Sequence, residues 1–132
     1  MKVKLEQCVN AMAALPALLE SNYPFDISWK MGRAAKIIEK EANEFNELSN
    51  KKLMDTAKKV MKEDGTPELN ADGREFYRFE TEEEAKKFYD ERKEALQQEI
   101  EIPVTPISIK DLSKYEVKPV ISKYLDFLFV GE

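Results

Sequence analysis

Residues 27–63, ISWKMGRAAKIIEKEANEFNELSNKKLMDTAKKVMKE, hold no proline and a single glycine, Gly32, near their start. Any fold of this chain has to accommodate the long helix they predict. Its apolar positions are Ile27, Met31, Ala34, Ile38, Ala42, Phe45, Leu48, Leu53, Ala57 and Val60. The mean step is about 3.7 residues, closer to a straight α-helix than to the 3.5-residue repeat of a left-handed coiled coil. The stripe is therefore expected to pack on the rest of the same chain. At about 1.5 Å per residue the segment would reach roughly 55 Å, longer than a domain of this size is wide, so one end is expected to project and offer itself to a partner.

The remaining segments are shorter. Lys2 to Leu5 alternate in polarity and suit a short strand or the entry to a helix. Residues 6–20 place Val9, Met12, Ala13, Leu15, Leu18 and Leu19 largely on one helical face, with Pro16 inside the pattern, which predicts a kink or two short pieces. Asp26 or Ser28 is expected to cap the long helix. Near Lys62 it meets Gly65 and Pro67, a stop signal. Asn70-Ala71-Asp72-Gly73 predicts a turn ahead of a strand-like aromatic run, Phe76, Tyr77 and Phe79. Glu68, Asn70, Asp72 and Gly73 mimic the start of an EF-hand loop, but the bidentate position is Phe79 and the first ligand is Glu, so an ordinary turn is the better reading.

Thr81-Glu82-Glu83-Glu84 is a capping box that opens a second helix with the stripe Ala85, Phe88, Tyr89, Arg92, Ala95, Leu96 and Ile100. Between positions 80 and 101 the chain carries nine acidic and four basic side chains; between 30 and 63 it carries nine basic and six acidic. These opposite balances favour antiparallel pairing of the two helices, against the alternative of two independently solvated faces. Ile100, Ile102 and Val104 then switch the period to two, with Pro103 and Pro106 restricting the segment to a sheet edge or extended chain. Residues 108–112 suggest a turn or a single helical turn, and 118–125 a short helix with Pro119 in its first turn. Leu125, Phe127, Leu128, Phe129 and Val130 are too apolar for a loose tail and should dock on the core or on another subunit.

With 132 residues the chain suits one domain with a modest core. The fold class expected is mainly α (α+β): a long helix paired with a second, a short N-terminal helical segment, small extended pieces and a short C-terminal helix. A net charge of −5 argues against broad nucleic-acid binding. The run after Met1 is interrupted by Glu6, Gln7 and Asn10, unlike a signal peptide, and no stretch approaches a membrane span, so a cytoplasmic protein without membrane contact is expected.

Catalytic signals are sparse. The sequence has no histidine, which removes the commonest general base and metal ligand, and neither a phosphate-binding loop nor a dinucleotide fingerprint. Cys8, the single cysteine, sits in apolar helical context and reads as a structural thiol; Glu39, Glu41, Glu44 and Glu47 read as a solvated helix face. No cofactor, metal or catalytic residue is assigned. The candidate contact residues are Trp29, Phe127, Phe129, Lys58 and Lys62. Trp29, the only tryptophan, suits a core anchor or an interface hot spot. Lys58 and Lys62 belong to a basic cluster with Lys51, Lys52 and Lys59.

Three pieces, KVKLEQCVNAMAAL, KMGRAAKIIEKEANEF and FYDERKEALQQEIEIPVTPISIKDLSKYEVKPVISKYLDFL, together resemble a family of small helical proteins encoded by bacteriophages and prophages. The resemblance brings no catalytic residues. It implies a phage origin and a non-enzymatic role through protein–protein binding: a virion, assembly or accessory component that self-associates or meets another phage or host protein. The alternative it implies is a small inhibitor of a host defence or metabolic protein. A metal- or carboxylate-dependent enzyme ranks third.

Overall fold

The computed structural model describes residues 1–74 and 76–131. In chain order they form β1 (Lys2–Lys4), α1 (Leu5–Ala11), a 3₁₀ turn (Met12–Ala14), α2 (Leu15–Glu20), α3 (Phe25–Thr56), β2 (Lys58–Lys59), β3 (Tyr77–Arg78), α4 (Glu82–Leu96), β4 (Glu99–Glu101), β5 (Ile107–Ser108), α5 (Ile109–Leu112), α6 (Pro119–Tyr124), a second 3₁₀ turn (Asp126–Leu128) and β6 (Phe129–Val130). The fold is mainly helical, with three small two-stranded sheets among the described residues, an α+β arrangement. Contacts divide it into two compact units, Met1–Phe45 with Leu96–Glu132, and Asn46–Ala95.

The first unit holds the core. Ile27, Met31, Ala34, Ala35, Ile38 and Ala42 are buried along one face of α3, recurring at the helical period. Cys8, Ala11, Ala14, Leu15 and Leu18 from the N-terminal helices form one cluster with the α3 residues from Ile27 to Ile38, as do Ile102, Ile107, Leu112, Ile121, Leu125 and Leu128 from the C-terminal third. Pro16 divides the N-terminal segment as expected: it lies in the first turn of α2, where its missing N–H has no helical partner to lose. α6 packs on α1, on the 3₁₀ turn and on α2.

β1 pairs antiparallel with β4, Val3 opposite Ile100, and the ladder is extended by Leu5 N–H donating to the Gln98 carbonyl at 3.0 Å. β5 and β6 run parallel, Ile107 opposite Phe129. Tyr23 closes this side: its hydroxyl donates to the Glu116 carbonyl at 2.9 Å and its ring meets Tyr115 edge-on at 5.7 Å.

α3 starts at Phe25, so Asp26 and Ser28 sit inside its first turn instead of capping it. The Ser28 hydroxyl donates back to the Tyr23 carbonyl at 3.0 Å, while Asp26 places a negative charge where the helix dipole favours it. The other end differs more. The helix predicted to continue to about residue 63 stops at Thr56, whose hydroxyl folds back onto the Lys52 carbonyl. The residues after it are claimed by extended pairing: Lys58 lies opposite Arg78 and Lys59 opposite Tyr77, Val60 N–H donates to the Phe76 carbonyl, and Glu68 N–H donates to the Val60 carbonyl.

That pairing organises the second unit. Two turns bring its extended pieces together, each with a glycine in the left-handed region, Gly65 at φ 86° and Gly73 at φ 77°. At the second, Asn70 Oδ1 accepts from the amides of Asp72 and Arg74, so the residue that resembled a calcium ligand is spent on an Asx turn. Thr81 Oγ1 accepts from Glu84 N–H at 3.1 Å, the predicted forward half of the capping box, and opens α4.

α4 runs opposite to the end of α3. Arg92 Nε donates to Ser49 Oγ at 3.2 Å, and a groove further along is shared by Lys52 and Thr56 with Glu84, Lys87, Phe88 and Glu91. Phe79 supports α4 from the strand side, its ring 5.4 Å from Phe88 and 6.0 Å from Tyr89.

The uneven burial along α3 gives a direct test. Ile38→Ala and Leu128→Ala, both at fully buried positions, should each cost about 2–5 kcal/mol in denaturant unfolding. Leu48→Ala, on the same predicted stripe but half exposed, should cost less than about 1 kcal/mol.

Candidate interaction surfaces

The five candidate contact residues fall in different settings. Trp29 is 55% exposed and is no core anchor. At about 100° per residue it lies opposite the Ile27, Met31, Ala34 and Ile38 stripe, so the helix that buries those side chains turns Trp29 to solvent. Phe25, one turn earlier, is 89% exposed. The Arg33 guanidinium stacks on the indole 5.1 Å from its centroid, an arrangement in which the ring quadrupole attracts the cation. Lys36 and Lys40 continue the exposed side. The result is a convex aromatic and basic ridge on the first half of α3.

Phe127 and Phe129 dock on the core of their own chain. Leu125 and Leu128 are fully buried, and the two phenylalanines are partly buried against them. Phe129 also forms one wall of a hollow of about 310 Å³, with Ile109, Leu112 and Val117 as its other apolar walls and Ser113, Ser122 and Asp126 as its polar lining. Asp126 is the one charged residue among these walls. This hollow depends on α5, α6 and the second 3₁₀ turn being folded against one another, and single positions in the sequence do not announce it.

Lys58 and Lys62 belong to the second unit. Lys58 Nζ lies 2.6 Å from Glu80 Oε1, and that hydrogen bond raises the lysine's pKa and lowers the glutamate's. Both groups are exposed, so the pair fixes the β2–β3 edge more than it stabilises the fold. Lys62 stands at the first turn, its amide donating to the Thr66 carbonyl at 2.8 Å, with its side chain in solvent.

The second unit is thinly buried. Among its described residues only Ala57 is buried, whereas Leu48, Met54, Met61, Leu69 and Tyr89 are about half exposed. Its stripe of apolar positions on α4 yields no buried residue. Scattered exposed leucines are ordinary on protein surfaces, but a unit with one buried alanine and five half-exposed large apolar side chains among its described residues has little core of its own.

The Cys8 thiol is buried, and desolvation, reinforced by the Glu41 carboxylate, pushes its pKa from 9.0 to about 11. Among the described residues no three or more Cys, Asp or Glu side chains are grouped to hold a metal ion, and no helix is long and apolar enough to cross a membrane.

Because the folded chain holds the Cys8 proton more tightly than an unfolded one, this contribution to stability is complete below pH 9 and is lost as the pH rises toward about 11. A disulfide reagent at pH 8 should therefore label Cys8 only on the timescale of unfolding, and fast native labelling would contradict its burial. The chain matches no known protein family, no curated protein and no solved structure.

Proposed function

We propose that this protein acts by binding another protein and not by catalysis. The observation that carries this reading is the burial of the second unit, in which Ala57 is the one buried residue among those described while five large apolar side chains stay about half exposed. Burial of apolar surface is the main force that stabilises a folded segment, and a piece this short has little of its own. A partner that covers Met54, Met61 and Leu69 would supply what the unit lacks. The unit also exposes charges of both signs, Lys51, Lys52, Lys59 and Lys62 beside Glu82, Glu83, Asp90 and Glu94, and charge of both signs is what sets orientation and specificity at an interface.

The sequence resemblance to phage-encoded proteins supports a virion, assembly or accessory role within this reading. The absence of histidine from the chain and the protonated, buried state of its one thiol support a non-enzymatic one.

The test is affinity purification of the tagged chain from its native cells during phage infection or prophage induction, beside a Met54→Lys, Leu69→Lys double variant. Both substituted positions are exposed, so the variant should retain the wild-type circular dichroism and melting. Capsid or tail proteins should accompany the wild type and fall at least about ten-fold with the variant. A single host protein at fixed stoichiometry, lost in the same way, would move the role to host inhibition. Recovery unchanged by the substitutions, or no protein above background, would overturn the reading.

A further inference from the structure

The first unit carries two features that its own fold leaves unused. One is the ridge of Phe25, Trp29 and Arg33 on α3. The other is the hollow walled by Ile109, Leu112, Val117 and Phe129. Both are made of residues of the first unit alone.

The ridge is built to be covered. Phe25 and Trp29 lie four residues apart, one helical turn, so their rings project from the same side. Leaving them 89% and 55% exposed contributes nothing to folding, while burying them elsewhere would release large apolar area. Arg33 is held on the indole at 5.1 Å, which makes aromatic surface and positive charge a single amphipathic knob.

The hollow has the opposite character. Its four walls are apolar, its volume of about 310 Å³ is at the lower end of the range for sites that enclose a small organic group, and its single charged residue is a carboxylate, Asp126. Its frame is rigid, because Leu112, Ile121, Leu125 and Leu128 anchor the same short elements in the core. A site of this make-up takes a flat apolar group that carries a cation at its edge.

We propose that a second copy of this chain supplies that group: Phe25 and Trp29 of one molecule seat in the hollow of another, and Arg33 pairs with Asp126. One occupant thereby satisfies both features. An acidic peptide would match the cations of the ridge and leave the aromatics uncovered, and a small hydrophobic amine would fill the hollow and leave the ridge bare. Ridge and hollow are different parts of the same unit, so the contact is isologous where two molecules exchange it reciprocally, and heterologous where it runs head to tail and closes as a ring or propagates as an open chain. The guanidinium–carboxylate pair fixes the orientation of the seated ring, since arginine meets a carboxylate through paired, directional hydrogen bonds.

The experiment uses sedimentation equilibrium of the full chain, with the emission of Trp29, its only tryptophan, as a second reading of the same event. The wild type should associate with rising concentration, and its emission should shift to the blue as the indole leaves water. A ridge variant, Phe25→Ala with Trp29→Ala, and a hollow variant, Ser122→Phe, should each weaken association at least about ten-fold. Mixed together they should form a one-to-one complex and nothing larger, because each retains the half that the other lacks. Arg33→Asp and Asp126→Arg, both at exposed positions, provide a pair that does not disturb packing: each alone should weaken association, and the double exchange should restore it. A wild type that stays monomeric with unshifted emission at every concentration, or charge reversals that leave association unchanged, would overturn the proposal.

Discussion

The structure depends on the apolar face of α3, and on where that face stops being buried. Up to Phe45 each turn of the helix buries an isoleucine, methionine, alanine or phenylalanine, and those from Ile27 to Ile38 join one cluster with the N-terminal helices and the C-terminal third. Beyond it the same periodicity continues in the sequence through Leu48 and Leu53, yet the next buried residue is Ala57. The backbone hydrogen bonds of a helix are equally satisfied along its length, so the change lies entirely in what its side chains meet. One continuous helix therefore belongs to two regimes, tightly packed in the first unit and thinly covered in the second.

This difference organises the functional reading. In the first unit the core fixes both the outward face of α3 and the frame of the C-terminal hollow, so the exposed aromatics and the concave apolar site are presented by rigid elements. In the second unit, the contacts that hold β2, β3 and α4 in place include a short backbone ladder, the Arg92–Ser49 hydrogen bond, an exposed ion pair, two glycine turns, a capping threonine and a small aromatic group. Those interactions define a shape at low cost in buried area. They suit a surface that gains much of its stability when it is covered.

Local chemistry made much of the fold legible. Pro16, the Asp72-Gly73 turn, the Thr81 capping box, the period-two run from Ile100 and the Pro119 helix start each act within a few residues, and each appears where its chemistry places it. The end of α3 was not legible in that way. Nothing within residues 57–63 forbids helix, and the segment is extended where Phe76, Tyr77 and Arg78, well downstream, pair with Lys58, Lys59 and Val60, and where Thr66, Pro67 and Glu68 pair with its end. Trp29 was partly legible: helical geometry puts it off the buried stripe, but residue type alone pointed to the core. The tail residues Phe127 and Phe129 were correctly expected to need cover, whereas the hollow that Phe129 helps to wall, and the carboxylate of Asp126 in it, exist only once α5 and α6 have packed.

The most direct test of the contrast between the two units is native-state hydrogen exchange on the isolated chain. Amides of α1, of α3 up to Phe45 and of α6 should be the slowest, opening only with global unfolding. Those of α4 and the β2–β3 pair should exchange through local opening at far lower free energy. Uniform protection across Asn46–Ala95, equal to that of the first unit, would contradict the account, because it would mean that the second unit is stable without cover.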